Sequence, residues 1–234
     1  MAGPLTTIGF DADDTLWQNE TFFRLTQDRF AELLADHAER DHLHERLLAA
    51  ERRNLGHYGF GIKGFMLSMI ETAIEVTEGR VPANVISEIL STGQEMLSHP
   101  IELLPHAAEV VADLSGRFRL VLITKGDLLD QERKLAQSGL GEMFDAVEIV
   151  SNKTEATYAR AFARHGDGAD RAMMVGNSMK SDVRPALEAG SWGVFVPHGL
   201  TWELEHAEAP EGHARFHEIA DLGALPALIE TIAR

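Results

Sequence analysis

The sequence contains no cysteine and few basic residues, and each shortage excludes a class of function. Without cysteine there are no disulfides, thiolate metal ligands or thiol nucleophiles, which is compatible with a reducing cytoplasm. Lys and Arg number 21 against 37 Asp and Glu, giving a formal net charge of −16. Nucleic acids and anionic membranes are bound through basic patches, so neither is an expected partner. A site for an anionic substrate would have to be positive locally.

Long hydrophobic runs are also missing. No apolar stretch approaches the roughly 20 residues that span a bilayer, and residues 1–4 lack the features that open a signal peptide. The chain does have a globular composition, with 44% hydrophobic and 25% charged residues over 234 positions. This length exceeds one average domain and falls short of two. We therefore expect a soluble protein of the cytoplasm.

Short β-type runs recur through the second half of the chain and are separated by helical patterns. The runs are 119–124, 146–150, 172–175, 192–196 and, more weakly, 214–219, and the helical patterns are 128–137, 153–165, 181–189 and 223–232. Strands that alternate with helices of this length form βαβ units. The sequence therefore predicts an α/β fold with a Rossmann-like parallel sheet flanked by helices.

A further strand is predicted at Thr7–Asp11, and the long stretch after it contains no convincing strand. Helical patterns there are 22–35, 42–53, the face formed by Phe65, Met69, Ile70, Ala73 and Ile74, and a helix that opens near Pro82. The prolines within 98–105 favour a linker. We predict a helical cap domain at 18–98, inserted into a core domain of 1–17 and 99–234.

An acidic cluster, Asp11-Ala12-Asp13-Asp14-Thr15, follows the first apolar run. If a buried strand ends there, Asp11 and Asp13 point to the same side because strand side chains alternate. Two carboxylates converging at a strand end can hold a divalent cation, and one of them can act as a nucleophile. The alternative is a polar exit from the strand into a loop.

The ends of the other strands also carry reactive or polar groups. In open parallel sheets, ligands bind at the carboxyl ends of the strands. Those ends carry Thr124-Lys125-Gly126, Lys153 at a helix start, and the segment 176–182 (GNSMKSD). A carboxylate pair, a hydroxyl, a lysine and an amide with a carboxylate are what phosphoryl transfer through an aspartyl intermediate needs.

On these residues the chain resembles the haloacid dehalogenase-like hydrolases that carry an inserted helical cap of the C1 type. Residues 11–15 match the first motif of that superfamily, Thr124 the second, Lys153 the third, and 176–182 the fourth. The resemblance covers essentially the whole chain. It implies a Mg²⁺-dependent phosphatase or phosphotransferase that acts on a small phosphorylated metabolite beneath a mobile cap.

The resemblance also implies catalytic roles. Asp11 is expected to attack phosphorus, and Asp13 to protonate the leaving alkoxide and then take a proton from water. Thr124 would bind a phosphoryl oxygen, together with Lys125 and the backbone N–H groups near Gly126. Lys153 would pair with both Asp11 and the phosphoryl group.

The expected magnesium ligands are the Asp11 carboxylate, the Asp13 backbone carbonyl and Asp182. Asn177 stands where many relatives carry aspartate. Its neutral amide oxygen is an adequate ligand, so Asn177 is a fourth candidate residue of the metal site, with Asp182 favoured as the direct ligand and Asn177 as a supporting group. Asp14 occupies a position often taken by glycine, and we interpret it as a water-facing cap of a helix or turn.

The segment 59–64 (GFGIKG) has the G-x-G-x-x-G spacing of dinucleotide sites. No predicted strand precedes it and it lies inside the helical insert, so a hinge between cap helices is the better interpretation. Such a loop faces the active site in capped relatives, which makes Tyr58 and Lys63 the predicted substrate-specificity residues.

Asp13 separates the reactions found in the superfamily. Members that release halide resemble this motif without the second aspartate, because halide needs no protonation. Asp13 therefore favours phosphate esters. A phosphomutase, a phospho-acceptor regulatory domain and a catalytically weakened scaffold remain alternatives, the last because of Asn177. Nothing in the sequence indicates an oligomeric state.

Overall fold

The computed structural model describes residues 4–232, which form two compact units. One unit contains the described residues up to Glu20, together with Ile101–Lys125 and the chain from Gln131 onward. The other contains Thr21–Pro100 and Gly126–Asp130. The domain boundaries proposed from the sequence stay a prediction.

A parallel sheet forms the centre of the first unit. Within residues 4–232 its strands are β1 (Thr7–Phe10), β2 (Arg119–Lys125), β3 (Ala146–Val150), β4 (Ala172–Gly176), β5 (Trp192–Phe195) and β6 (Phe216–Glu218). Their order is β3-β2-β1-β4-β5-β6, and every neighbouring pair is parallel. The predicted α/β fold with a parallel sheet is confirmed. Its order places β1 at the centre, between β2 and β4.

Helices cover both faces of this sheet. They are α5 (Ala107–Leu114), α6 (Leu128–Ser138), α7 (Glu155–His165), α8 (Arg184–Glu188) and α9 (Leu225–Ile232). Alternate residues of β2 point to opposite faces: Leu120 and Leu122 pack in the cluster that includes α5 and α9, whereas Val121 and Ile123 pack with α7. Burial on both faces explains why these strands read as continuous apolar runs.

Four helices form most of the second unit. They are α1 (Glu20–Leu33), whose first residue belongs to the first unit, α2 (Arg40–Tyr58), α3 (Ile62–Val76) and α4 (Ala83–Ser98). Their apolar faces share a core that includes Phe30, Leu47 and Phe65. The glycine-rich segment joins α2 to α3, and Gly59 and Gly61 have positive φ there. Among the described residues, no helix is long and apolar enough to cross a membrane.

Several elements differ from the sequence prediction, most of them only in their bounds. The helix α5 was not predicted, since its buried residues Val110, Val111 and Leu114 make too short a pattern beside the proline-rich linker. The predicted helix 181–189 is a π-helical turn, Met179–Val183, followed by the short α8. The first strand stops at Phe10, one residue earlier than predicted.

Candidate active site

The central position of β1 brings Asp11 between residues from neighbouring strands. Its backbone N–H still donates to the Val175 carbonyl of β4 (2.9 Å), so the main chain remains tied to the sheet just beyond the strand end. The chain then turns, with the Leu16 N–H donating to the Ala12 carbonyl (2.8 Å). Asp13 therefore lies in a turn rather than in the strand, and the alignment of its side chain with that of Asp11 stays a prediction.

Lys153 bridges two buried carboxylates. Its ammonium group donates to Asp11 Oδ1 in a short contact and to Asp182 Oδ1 at 2.7 Å. Burial and the Asp182 charge raise the pKa of Asp11 to about 7, against the opposing effect of Lys153. Burial by itself lowers the pKa of Lys153, but the two carboxylates outweigh burial and raise it above its usual range. The lysine is therefore held as a cation.

Asp13 binds a different set of donors. Its Oδ1 accepts from the Trp17 indole N–H (2.8 Å) and from the Lys134 ammonium (2.9 Å), while its Oδ2 accepts from the Gln131 amide (2.7 Å). Burial raises the pKa of Asp13, but Lys134 and the other donors outweigh it and hold the pKa below its usual range. Gln131 and Lys134 were not predicted as site residues.

Asp14 caps a helix, but the expectation that it faces water was wrong. Its carboxylate is buried and accepts from the backbone N–H groups of Asn19 (2.9 Å) and Glu20 (3.0 Å) at the start of α1. The backbone of Asp14 has φ of 58°, the left-handed region that glycine adopts most easily. Burial raises the pKa of Asp14 to about 6. The cap is buried because the chain folds back at this turn.

Gly176 leaves room for the carboxylate of Asp182. A Cβ on Gly176 would lie 2.3 Å from Asp182 Oδ2, so a larger residue would displace that side chain. Two hydrogen bonds of Ser178 close the turn between them. The Ser178 N–H donates to Asp182 Oδ2 (2.9 Å), and Ser178 Oγ accepts from the Ser181 N–H (3.0 Å). The Tyr158 hydroxyl, which was not predicted, donates to the Ser181 carbonyl (2.9 Å).

Oxygen atoms surround the side chain of Asn177. One end of its amide lies 3.2 Å from both the Asp13 carbonyl oxygen and Asp11 Oδ2, and 3.3 Å from Thr15 Oγ1. The Asn177 amide can have either of two orientations. With its nitrogen at that end, the amide donates hydrogen bonds to these oxygens. With its oxygen there, the oxygens repel one another unless a cation lies between them. Carbonyl, carboxylate and amide oxygens are the donors that Mg²⁺ prefers. This set fits a magnesium ion.

The carboxylates alone do not form such a set. Within the described part of the chain, no group of three or more His, Cys, Asp or Glu side chains is arranged to hold a metal. Both oxygens of Asp182 already accept bonds, from Lys153 and from the Ser178 N–H. The geometry therefore places Asn177, which we expected outside the direct ligands, beside the oxygens of Asp11 and Asp13.

Thr124 and Lys125 lie at the end of β2. Thr124 is buried, and its hydroxyl donates to the Lys125 carbonyl at 3.3 Å. The Lys125 ammonium donates to Glu205 Oε1 (2.6 Å) and Ser181 Oγ (2.8 Å), and Glu205 Oε2 accepts from Ser178 Oγ (2.6 Å). Burial raises the pKa of Glu205, but Lys125 and the two serines outweigh it and leave the pKa below its usual range. Glu205, far along the chain, was not predicted.

The two predicted specificity residues lie in the helical unit. Tyr58 ends α2 and is 52% exposed. Lys63, in the first turn of α3, pairs with Asp127 of the segment Gly126–Asp130 (2.9 Å). Gly126 has φ of 141°, so a glycine suits the turn that follows Lys125. Contacts with a substrate stay a prediction for all of these residues.

The fold and the strand-end residues together define a hydrolase class. Asp11 lies just after β1, Thr124 lies in β2, Lys153 follows β3, and the 176–182 turn begins at the end of β4 of the same parallel sheet. A model of the haloacid dehalogenase-like hydrolases matches residues 5–190. The chain belongs to this family and is an enzyme.

Relatives with assigned activities include phosphatases. A glyceraldehyde 3-phosphate phosphatase of Methanothermobacter thermautotrophicus is 25% identical over 211 residues, which is 87% of this chain and 91% of that protein. A pyrimidine 5′-nucleotidase of Escherichia coli is 28% identical over 54% of this chain and 56% of its own length.

Solved structures support the fold. A haloacid dehalogenase-like family hydrolase from Xanthomonas campestris is 40% identical, with a TM-score of 0.86 over 98% of this chain and 92% of that one. An L-2-haloacid dehalogenase from Xanthobacter autotrophicus has a TM-score of 0.67 at 18% identity over 97% of this chain and 98% of its own. At that identity the likeness concerns the fold alone.

Proposed function

We propose that this chain is a Mg²⁺-dependent phosphatase that hydrolyses a small phosphate monoester through an aspartyl-phosphate on Asp11. The observation that carries the proposal is the pairing of buried Asp11 with Lys153 beside a second carboxylate, Asp13, held by donors of its own. A nucleophile next to a fixed cation and a separate proton-transfer group is what this reaction needs.

The reaction proceeds in two displacements. In the first, a carboxylate oxygen of Asp11 forms a bond to phosphorus while the ester P–O bond breaks. Asp13, whose pKa is low in the free site, must have taken up a proton before this step, and it gives that proton to the departing alkoxide. In the second, water attacks phosphorus and the bond between Asp11 and phosphorus breaks. Asp13 takes the proton of that water, so inorganic phosphate leaves and both aspartates return to their starting states.

Two side chains and a metal ion position the phosphoryl group in this scheme. The Lys153 ammonium neutralises charge next to Asp11, and the buried Thr124 hydroxyl donates to a phosphoryl oxygen once it turns from the Lys125 carbonyl. A magnesium ion would be held by the Asp11 carboxylate, the Asp13 carbonyl and the Asn177 amide oxygen, with Asp182 as a further predicted ligand. When bound, the ion supplies positive charge to the transferring phosphoryl group.

Two features favour phosphate esters over alkyl halides. Asp13 is a proton donor that halide release would not require, and it has bonding partners that keep it in place. The curated relatives that align with most of this chain are phosphatases by name. A small phosphorylated metabolite is therefore the proposed substrate, and Tyr58 and Lys63 are the proposed residues that select it.

The test is turnover of 4-nitrophenyl phosphate with and without Mg²⁺, for the wild type and Asp11→Asn. We expect many magnesium-dependent turnovers and a loss of about 10⁴-fold or more in kcat for the variant. Asp113→Asn, which alters an exposed carboxylate of α5, is the matched control and keeps wild-type activity. One stoichiometric phosphorylation without turnover would instead indicate a phospho-acceptor domain, and no reaction with any phosphate monoester would reject the proposal.

The magnesium ligands have a test that does not depend on turnover. Asn177→Asp adds a charged oxygen facing Asp11 Oδ2 and the Asp13 carbonyl, so Mg²⁺ should bind about tenfold more tightly by calorimetric titration. The same charge repels Asp11 and should lower the melting temperature of the metal-free protein. An unchanged Mg²⁺ affinity would remove Asn177 from the proposed ligands.

A further inference from the structure

Asp13 is contacted by side chains to which the family resemblance assigned no role. The Trp17 indole and the Lys134 ammonium both donate to Oδ1, at 2.8 and 2.9 Å, and the Gln131 amide donates to Oδ2 at 2.7 Å. Both carboxylate oxygens are thus engaged, so rotation of the carboxylate would break at least one bond to a charged or amide donor. The donors fix the plane of the acid as well as its position.

Gln131 and Lys134 come from one face of α6, because residues three apart on a helix are neighbours. Both side chains are buried. A buried lysine normally has a partner of opposite charge. The Lys134 ammonium forms an ion pair with Asp13 and also donates to Asn19 Oδ1 (2.9 Å), a neutral group. A regular helix therefore presents a buried cation to the proposed acid.

The orientation of the Gln131 amide directs its nitrogen toward two hydrogen-bond acceptors. Its amide nitrogen donates to Asp13 Oδ2 and also to the Lys125 carbonyl (3.0 Å). Its amide oxygen is buried and has no hydrogen-bond partner within residues 4–232. An unsatisfied buried oxygen is destabilising. The amide keeps that orientation because its nitrogen is needed by two acceptors on the other side.

We propose that Lys134 is a positioning residue for proton transfer by Asp13, with Gln131 as its second anchor. This inference rests on the proposed phosphatase function. A general acid must lie within hydrogen-bond reach of the leaving oxygen and be aligned with it, and a side chain locked by its neighbours meets that condition more often than a free one. Lys134 acts through Asp13 and does not itself contact substrate.

The test uses the dependence on the leaving group. Phenyl phosphate releases a more basic leaving group than 4-nitrophenyl phosphate, so it needs the proton of Asp13 more. For Lys134→Met we expect kcat for phenyl phosphate to fall about tenfold or more, with a fall of under about threefold for 4-nitrophenyl phosphate. KM should change little for both. Gln131→Met should show the same pattern with a smaller loss.

Two further variants separate positioning from a general loss of structure. Asp13→Asn combined with Lys134→Met should be no slower on phenyl phosphate than Asp13→Asn alone, because a residue that acts through Asp13 has nothing left to position. Arg133→Met removes a neighbouring cation of α6 that bonds Gln137 rather than Asp13, and should leave the ratio of the two rates unchanged.

Equal losses on the two substrates, or further loss in the double variant, would overturn the inference. If Lys134→Met does not fold, Gln131→Met decides alone by the same comparison of rates. Failure of the phosphatase proposal has a different signature, because the wild type would then turn over neither substrate. Wild-type turnover with an unchanged rate ratio in both variants would overturn only the role of Lys134 and Gln131.

Discussion

The site contains two carboxylates that are two residues apart, each bonded to a buried lysine, and their pKa values move in opposite directions. Asp11 pairs with Lys153, and its pKa rises to about 7. Asp13 pairs with Lys134, and its pKa falls below the usual range. Burial raises the pKa of both, so burial does not explain the difference. The neighbours of each carboxylate do, because Asp182 raises the pKa of Asp11 whereas Lys134, Gln131 and Trp17 lower the pKa of Asp13.

Lys153 is shared between two buried carboxylates. The Lys153 ammonium serves Asp11 and Asp182 together, which leaves this region with one negative charge more than its lysine can neutralise. Lys134 meets Asp13 and the neutral Asn19, and Gln131 and Trp17 add donors without adding charge. The Asp11 region therefore retains attraction for a further cation.

Removal of the shared lysine should have the largest effect on this comparison. Lys153→Met leaves Asp11 and Asp182 buried without their cation, so kcat for 4-nitrophenyl phosphate should fall by about 10³-fold. The free energy of unfolding should fall by about 4 kcal/mol in urea denaturation. Lys180→Met, which removes an exposed lysine bonded to the Leu204 carbonyl, is the control and should change neither quantity much. Comparable losses in both variants would refute the special role of Lys153.

Neutralising each aspartate in turn should change stability with opposite signs. In metal-free protein at pH 8, Asp13→Asn leaves Lys134 without its counter-charge and should lower the free energy of unfolding by about 3 kcal/mol. Asp11→Asn removes a carboxylate that burial and Asp182 disfavour, and should raise it by about 1 kcal/mol. Denaturation in urea with a chelator present measures both. Two changes of the same sign would contradict the comparison.

The pH dependence of these two effects also differs. The pKa of Asp11 is raised in the folded state, so its unfavourable contribution is present above pH about 7 and disappears as the pH falls toward its unfolded value of 3.8. The pKa of Asp13 is lowered, so its favourable contribution persists down to about pH 3.8 and is lost below that. At pH 4.5 the Asp13→Asn effect should remain while the Asp11→Asn effect has largely gone.

The sequence was sufficient for the sheet and for the groups at its strand ends, because apolar runs, turns and motif residues are local signals. It was not sufficient for Gln131 and Lys134, which read as part of an ordinary charged helix in the segment Gln-Glu-Arg-Lys. Only the order of the strands brings that helix to Asp13. Asp14 was wrongly expected to face water for the same reason, since nothing in the local sequence shows that this turn is buried.

Glu205 is another site residue that the sequence did not predict, and its replacement should have an effect of intermediate size. It pairs with Lys125, and both side chains are largely buried. Glu205→Gln should lower the free energy of unfolding by about 2 kcal/mol at pH 7, because the bond to the lysine loses its charge. The exposed Glu203, in the same turn, gives the matched variant Glu203→Gln, which should have little effect.

The stability difference due to Glu205 should depend on pH in a defined direction. Its folded-state pKa is lowered from 4.5, so the carboxylate stabilises the protein above that pH and loses this effect as the pH falls through the folded value. Wild type and Glu205→Gln should therefore begin to converge in stability as the pH falls below 4.5, and the difference should be lost below the folded-state pKa. A difference that stays constant from pH 7 to pH 3 would show that packing, and not charge, is what the substitution removes.

The smallest effect is expected for the ion pair of the helical unit, Lys63–Asp127. The Lys63 side chain is 55% exposed, and water screens an exposed pair, so Lys63→Met should lower the free energy of unfolding by less than about 0.5 kcal/mol. Arg80→Met, which breaks a still more exposed pair with Glu78, is the control. The near absence of a stability effect makes Lys63 a clean test of the proposed substrate role: a raised KM for a phosphate substrate would then reflect lost binding. An unchanged KM would leave Lys63 as a surface ion pair only.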